Sequence, residues 1–247
     1  KVGNGVGSRS PMRRFDRLHR STIDLGHSRL DSPVEKGRAM IGLIGHRHEV
    51  DLVGCGELDR IELGGVLDAI EDTRSNPAIA AERLSVLGVS KGAELALLLA
   101  SRSAQISTVI AVVGSDVVFG SPEWYSTSSS WSWQGQPIPF VPFSLRSALP
   151  LMQGNIRQSY EVAMQNQQAY QQALIPVQQM QADVLLISGT ADELWPSSEM
   201  SDRIIQRLQQ HQYPHRYQHM KIAGAGHGGL AQQYQSEIIA FLTASQR

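Results

Sequence analysis

Residues 84–101, LSVLGVSKGAELALLLAS, contain a Gly-x-Ser-x-Gly motif between a short apolar run and a longer one. The first run predicts a buried strand, and the second, rich in alanine and leucine, predicts a helix. Ser90 lies at the junction, and Gly88 and Gly92 remove side chains where a tight strand-to-helix turn would crowd the backbone. The pattern is typical of a nucleophile elbow, which exposes the serine hydroxyl above the sheet. The N–H of Lys91 would then lie at a helix N-terminus, where negative charge is favoured.

Several βα units in series predict the fold class. Because the strand candidates are continuous apolar runs, we expect an α/β fold with a mostly parallel sheet and helices on both faces. The strand candidates are residues 39–45, 84–89, 108–113, 183–188 and 217–222, and the helix candidates are residues 61–73, 93–100, 198–210 and 236–242.

One segment interrupts this rhythm. Residues 119–154 hold three of the four tryptophans among serines, prolines and glycines, which predicts a small irregular cap over the sheet. Residues 155–181 are rich in glutamine and are predicted to be helical until shortly before Pro176. We therefore expect residues 1–247 to form a single domain with one cap.

Composition bounds the class of protein. The chain has 247 residues, 41% of them hydrophobic and 18% charged, with a formal net charge of −1, as in an ordinary globular domain. The sequence has no sustained basic run, so it does not indicate a nucleic acid or an anionic membrane as partner. The single cysteine, Cys55, excludes an internal disulfide and allows a reducing compartment. No apolar run is long enough for a membrane span, so we expect a cytoplasmic protein, with any segment before Lys1 left open.

A serine nucleophile needs a base, and the base needs an acid that orients it. Asp192, in SGTADELWPSS, and His227, in AGAGHGGL, each follow a predicted strand. The chain order Ser90, Asp192, His227 is the order of hydrolases with this elbow. An aspartate after a strand is also common as a turn former or helix cap, and Glu193 competes for the role of the acid. Asp116, after another strand, is the substitute acid.

The other histidines give weaker signals. His46 and His48 lie two residues apart with no third ligand evident, which favours an exposed loop over a metal site. The rest, including His219, lack the glycine-rich surroundings of His227. We therefore predict no metal and no cofactor.

Six pieces of the sequence recur in order with the spacing of one known family. They are GVSKGAELALLLAS, VVGSDVVFG, WQGQPIPFVPF, IPVQ, SGTADELWPS and GAGH. Over residues 39–230 the chain resembles the C-terminal α/β-hydrolase domain of the acyl-CoA thioesterase and bile acid-CoA:amino acid N-acyltransferase family. The resemblance implies that Ser90 is the nucleophile, Asp192 the acid and His227 the base, and that Trp195 matches a tryptophan after the acid. Family members that transfer acyl groups to amino acids resemble one another in using cysteine as nucleophile, so serine implies hydrolysis.

The sequence departs from this family before residue 39. The second oxyanion donor of such folds comes from a glycine-rich loop after an earlier strand. The one candidate is KVGNGVGS, in which Gly5 to Gly7 would serve beside the Lys91 N–H. No apolar strand precedes it, so we expect early strands to be missing or rearranged. Animal members of the family carry an N-terminal β-sandwich, and we expect none in these 247 residues.

The expected function is a serine hydrolase that cleaves an acyl ester or thioester of a small molecule. An acyl-CoA substrate follows from the resemblance, and a small carboxylic ester follows from the lack of a basic phosphate-binding run. We expect Trp131 and Trp133, with Trp195, to line the acyl pocket, because the cap leaves the sheet at the edge where Ser90 emerges. Two alternatives stay open: these tryptophans pack the cap onto the core, or the protein is a non-catalytic relative that binds a partner through its Trp-rich cap. The oligomeric state is not predicted.

Overall fold

The computed structural model describes residues 40–44, 49–52, 61–74, 84–120 and 128–245. Val34–Arg247 form one compact unit. The prediction of a single domain over residues 1–247 stays a prediction, because residues 1–39 lie outside the described part.

A six-stranded sheet forms the centre of this unit, and its strand order is β2-β1-β4-β5-β8-β9. The last four strands in that order run parallel to one another, whereas β1 is antiparallel to both of its neighbours. The strands are β1 (Met40–Ile44), β2 (Glu49–Leu52), β4 (Leu84–Val89), β5 (Ile106–Val112), β8 (Asp183–Gly189) and β9 (Tyr217–Ile222). The prediction that early strands are missing or rearranged concerns the chain before residue 39, which lies outside the described residues.

The remaining elements flank this sheet. Three short strands make a second sheet: β3 (Ile61–Glu62), β6 (Trp131–Trp133) and β7 (Gln136–Pro137). The helices are α1 (Leu63–Arg74), α2 (Lys91–Ala100), α3 (Leu145–Met152), α4 (Ile156–Ala163), α5 (Gln167–Gln172), α6 (Ser197–Gln210), α7 (Leu230–Gln233) and α8 (Gln235–Ser245), with a 3₁₀ turn at Val177–Gln179.

Alternate residues of the central strands build two cores. In β5, Val109 and Ala111 pack with α2 and α6 on one face, and Ile110 and Val112 pack with α7 and α8 on the other. Because both faces of β5 are covered, the strand reads as one uninterrupted apolar run. The predicted class is confirmed: this is an α/β-hydrolase fold, with a mostly parallel sheet and helices on both faces.

The cap is more regular than predicted. Helix α3 begins at a capping box, in which Ser144 and Ser147 bond each other's backbone N–H. The glutamine-rich segment forms two helices instead of one, because the Asn155 and Asn166 side chains each cap a new helix by accepting an N–H three residues on.

Candidate active site

The turn between β4 and α2 has the geometry of a nucleophile elbow. Ser90 has φ 57° and ψ −122°, a backbone conformation that L-residues rarely adopt. Its N–H donates to the Val112 carbonyl at 2.8 Å, which ties the turn to the end of β5. A Cβ on Gly88 would lie 2.1 Å from the Gly92 carbonyl oxygen, so only glycine permits this crossing of strand and helix.

The three residues predicted as nucleophile, base and acid form one hydrogen-bonded chain. His227 Nε2 lies 2.8 Å from Ser90 Oγ, and His227 Nδ1 lies 2.9 Å from both carboxylate oxygens of Asp192. His227 is 3% exposed and Asp192 is 1% exposed, whereas Ser90 is partly exposed. The arrangement has the geometry needed to remove the serine proton and to orient the base that accepts it.

The loop after β8 holds the carboxylate of Asp192. Its Oδ1 accepts the backbone N–H groups of Leu194 and Trp195 at 3.0 and 3.3 Å, and its Oδ2 accepts the Ser197 hydroxyl at 2.5 Å. From α4, Arg157 donates to the backbone carbonyl of Asp192 at 3.0 Å. The carboxylate thus accepts three hydrogen bonds besides its contact with the histidine, and the backbone of Asp192 is held by a fourth.

A groove of about 620 Å³ opens beside this loop. It lies between the α3–α4 connection and the loop that carries Asp192. Its lining comprises residues 153–157 and 190–193.

The Lys91 N–H is available for an oxyanion. It is the first amide of α2, and no residue in the described part of the chain accepts a hydrogen bond from it. Gly5, predicted as the second donor, lies outside the described residues.

The side chain of Lys91 points away from the nucleophile elbow and forms a buried ion pair. Its Nζ lies 2.5 Å from Glu94 Oε1 and donates to the Phe119 carbonyl at 2.7 Å, while the other Glu94 oxygen accepts the Phe119 N–H at 3.2 Å. Burial lowers the pKa of Lys91 and raises that of Glu94, against their mutual attraction. The ion pair thus binds both the backbone N–H and the backbone carbonyl of Phe119, where the chain enters the cap.

Trp131 belongs to the core, contrary to the expectation of a pocket wall. Its side chain is completely buried, and its indole N–H donates to Glu94 Oε1 at 2.5 Å. A side chain with no exposed surface offers no contact to a substrate. The placement of Trp131 agrees with the alternative interpretation, in which this tryptophan packs the cap onto the core.

Trp133 lies at the wrong end of α2 for a substrate contact. The Arg102 guanidinium lies 5.7 Å from the centre of the Trp133 ring. This guanidinium donates to the Leu98 carbonyl at 3.2 Å, and about 12 Å of helix rise separates Leu98 from Ser90. The placement corrects the prediction that Trp133 lines the pocket.

Trp195 lies beside the base, inside an aromatic cluster that we call the aromatic wall: Phe119, Phe143, Tyr160 and Trp195. Trp195 contacts the His227 ring edge-on with centroids 5.8 Å apart, and its N–H donates to the Val113 carbonyl at 2.9 Å. Tyr160, on α4, lies 5.4 Å from Trp195, 4.7 Å from Phe119 and 4.9 Å from Phe143. The aromatic wall thus connects the cap to the histidine. Trp195 is predicted from the sequence by name and Phe143 only as the end of the cap segment 124–143 expected at the acyl pocket, whereas Phe119 and Tyr160 are not predicted.

The competing residues take other roles. Glu193 accepts the backbone N–H of His227 and not its imidazole. Asp116 binds Arg203 through two hydrogen bonds of 2.7 and 3.1 Å and accepts the Tyr170 hydroxyl. His46 and His48 lie outside the described residues, and within the described part no cluster of metal-ligating side chains occurs. Among the described helices, none is long and apolar enough to cross a membrane.

A second serine–histidine–aspartate trio is formed by side chains of β8, β9 and α6, and it is not predicted from the sequence. His219, on β9, lies 2.6 Å from Ser188 Oγ through Nε2 and 3.0 Å from Asp202 through Nδ1. Lys221 also binds Asp202, at 2.6 Å. Ser188 has no exposed surface, so no substrate reaches its hydroxyl.

This trio makes stability depend on pH. The pKa of His219 lies below the ordinary histidine value, because burial disfavours the charged ring more than Asp202 favours it. In the unfolded chain histidine ionises at about pH 6.5. As the pH falls below that value, the unfolded state takes up a proton that the folded state resists, so the free energy of unfolding decreases until the lower folded pKa is reached.

We therefore expect urea unfolding to give a smaller free energy at about pH 5.5 than at about pH 7.5. His219→Gln should reduce that difference, and the exposed His211, replaced by Gln, is the control. An unchanged difference in His219→Gln would contradict the assignment.

The segment that carries this site matches one protein family. Residues 67–229, about two thirds of the chain, match the family described as BAAT / Acyl-CoA thioester hydrolase C terminal. The chain belongs to this family. The match includes Ser90, Asp192 and His227, as the sequence resemblance implied.

Characterised relatives of this BAAT / acyl-CoA thioester hydrolase C-terminal chain are acyl-CoA thioesterases. Acyl-coenzyme A thioesterase 1 of Mus musculus is 28% identical over 144 residues, which is 58% of this chain and 32% of the relative. The Rattus norvegicus protein of the same name is 28% identical over 176 residues, which is 71% of this chain and 39% of the relative. The chain thus spans about a third of the length of these relatives.

Solved structures similar to this family member include two esterases. Acetyl xylan esterase 1 from Thermoanaerobacterium sp. JW/SL YS485 has 12% identity and a TM-score of 0.47 over 75% of this chain and 52% of that chain. The Pyrococcus furiosus esterase PF2001 has 14% identity and a TM-score of 0.47 over 74% of this chain and 61% of that chain.

Proposed function

We propose that this protein is a serine hydrolase that cleaves an acyl ester or thioester through an acyl-enzyme on Ser90. One observation carries the proposal: a partly exposed serine in an elbow conformation is hydrogen-bonded to a histidine whose other nitrogen faces a buried carboxylate. Membership of the family and the thioesterase relatives support an acyl substrate.

The reaction follows from the positions of the hydrogen bonds. Ser90 Oγ attacks the acyl carbonyl while His227 Nε2 takes its proton, and the oxyanion accepts the Lys91 N–H. His227 then gives the proton to the departing alcohol or thiol. The same nitrogen then takes a proton from water, which attacks the acyl carbon, and returns that proton to Ser90 Oγ as the Oγ–acyl bond breaks and the acid leaves. Asp192 holds the imidazole in one orientation throughout.

The test is covalent labelling by a fluorophosphonate, which reacts with an activated serine. We expect one adduct, located on Ser90 by mass spectrometry, and none in Ser90→Ala. Ser188→Ala is the matched control, since Ser188 also contacts a histidine but is buried, and it should label like the unmodified protein. Equal labelling of Ser90→Ala would refute the proposal.

The aromatic wall supports an acyl site that reaches from His227 toward the cap. Trp195 and Phe119 are almost fully buried, whereas Tyr160 and Phe143 are half-buried residues. Tyr160 packs on Trp195, the aromatic residue that contacts the histidine, so it is placed to cover an acyl chain that extends toward the cap. Each buried methylene contributes about 0.8 kcal/mol.

We expect Tyr160→Ala to reduce the preference for long over short acyl esters, by up to about fourfold in kcat/KM for each methylene that loses its contact. Tyr160→Phe, which keeps the ring, should preserve the preference. Trp133→Ala should also preserve it, because Trp133 lies at the far end of α2. A chain-length series of p-nitrophenyl esters measures the ratio, and an unchanged ratio in Tyr160→Ala would exclude this wall from the acyl site.

The group that leaves from the acyl carbon is either a CoA thiol or an alcohol. The acyl-CoA thioesterase relatives favour a CoA thioester, and an ester of the same acyl group is the direct comparison substrate. The alternative of a non-catalytic protein that binds a partner through its Trp-rich cap gains no support from the described tryptophans, because Trp131 is buried and Trp133 is half-buried against Arg102. Trp124, the third tryptophan of the cap, lies outside the described residues.

A further inference from the structure

The loop that carries His227 lies directly on the loop that carries Asp192. The Ala191 N–H donates to the Ala225 carbonyl at 2.9 Å, and the Gly224 N–H donates to the Thr190 hydroxyl at 2.9 Å. At Gly189 a Cβ would lie 2.2 Å from the Ala225 carbonyl oxygen, so the approach depends on glycine. Base and acid are therefore held on one joined pair of loops.

Within this pair, Glu193 contacts the backbone of His227 itself. Its Oε2 accepts the backbone N–H of His227 at 3.0 Å. The same oxygen lies against Gly226, where a Cβ would approach it to 2.8 Å. Both carboxylate oxygens of Asp192 already face the imidazole Nδ1, so Glu193 acts on the peptide of the histidine and not on its ring.

The histidine loop needs such a contact. Four glycines surround His227 within residues 224–229, and two of them, Gly224 and Gly229, have φ of +72° and +79°. Glycine permits many backbone conformations, so the loop's own sequence does not fix the position of the imidazole. General-base catalysis requires the nitrogen within about 2.6–3.2 Å of the hydroxyl.

We infer that Glu193 is a positioning residue for the base: its hydrogen bond to the His227 peptide keeps the imidazole between Ser90 and Asp192. The inference rests on the proposed function. Because the role is that of a hydrogen-bond acceptor, an amide oxygen at the same place should replace the carboxylate.

The experiment compares two substitutions at this position. We expect Glu193→Ala to lower kcat about 10- to 100-fold with little change in KM, since misplacing a catalytic group by about 1 Å costs up to about 100-fold. Glu193→Gln should stay within about threefold of the unmodified protein. Glu237→Ala, which removes an exposed carboxylate on α8, is the control. Circular dichroism and Tm report whether each variant is folded.

A second variant tests the same contact from the other side. In Gly226→Ala the new methyl meets only the flexible end of Glu193, so the fold should tolerate it while the carboxylate is displaced. If both substitutions act through one hydrogen bond, the double variant should be no slower than the slower single variant, which is a non-additive double-mutant cycle.

The possible results separate the two proposals. Absence of fluorophosphonate labelling in the unmodified protein would overturn the proposed function and this inference with it. If the unmodified protein labels normally, full activity in Glu193→Ala would overturn this inference alone. So would equal losses in Glu193→Gln and Glu193→Ala, or a loss that only follows the unfolded fraction.

Discussion

Ser90→Ala, His227→Ala and Asp192→Asn are each expected to lower kcat for an acyl ester by about 10⁴- to 10⁶-fold. The reason is the single hydrogen-bonded chain: without its base the serine hydroxyl is a poor nucleophile, and without the carboxylate the imidazole loses its orientation. Steady-state hydrolysis of a p-nitrophenyl ester and of an acyl-CoA measures the loss.

The controls for this prediction use the residues that compete with the triad. Combining two triad substitutions should add little to one, because the three side chains act as a unit. Asp116→Asn should leave kcat within about an order of magnitude, far from the loss at a triad position, since Asp116 binds Arg203 and Tyr170 instead of the histidine. Near-normal turnover in Asp192→Asn would show that another group orients the base.

Gly88→Ala is expected to remove both activity and most of the stability. The added Cβ would lie 2.1 Å from the carbonyl oxygen and 2.4 Å from the carbonyl carbon of Gly92, and neither backbone atom can move without opening the turn at Ser90. Backbone collisions of this kind belong to the rare substitutions that cost more than about 4 kcal/mol of unfolding free energy.

Thermal unfolding and fluorophosphonate labelling test this second prediction together. Gly64→Ala is the matched control, because its Cβ would meet only Glu62 Oε1 at an ordinary 3.5 Å. Gly64 lies in α1, where alanine stabilises a helix by about 0.5–1 kcal/mol over glycine. A Gly88→Ala protein with unchanged Tm and labelling would show that the elbow is not as tight as described.

Signals close together in the sequence were sufficient to predict the α/β fold and the three residues of the hydrogen-bonded chain. Ser90 lies between glycines at a change from strand to helix, and His227 lies in a glycine-rich loop after the last strand. In a parallel sheet the carboxyl ends of the strands share one edge, so residues that follow different strands meet there.

The errors concern contacts between residues far apart in the chain. The position of the cap after the nucleophile unit predicts that Trp131 lines the pocket, but a hydrogen bond to Glu94, 37 residues earlier, holds Trp131 in the core. The sequence does not predict that Glu94 is buried, because a single carboxylate in an apolar helix normally indicates a solvent-facing position. Tyr160 was overlooked because the two asparagine caps that define α4 and α5 were not recognised in the glutamine-rich segment.

The trio of Ser188, His219 and Asp202 has a consequence for how catalytic sites are recognised. A search template defined by interatomic distance alone would return both trios of the described residues, and the serine–histidine separation of the second trio, 2.6 Å, is the shorter of the two. Ser188 lies within the extended backbone of β8 and has no exposed surface, whereas Ser90 has a positive φ and begins a helix. If Ser90 is the nucleophile that we propose, backbone conformation and solvent access distinguish it from Ser188, and hydrogen-bond length does not.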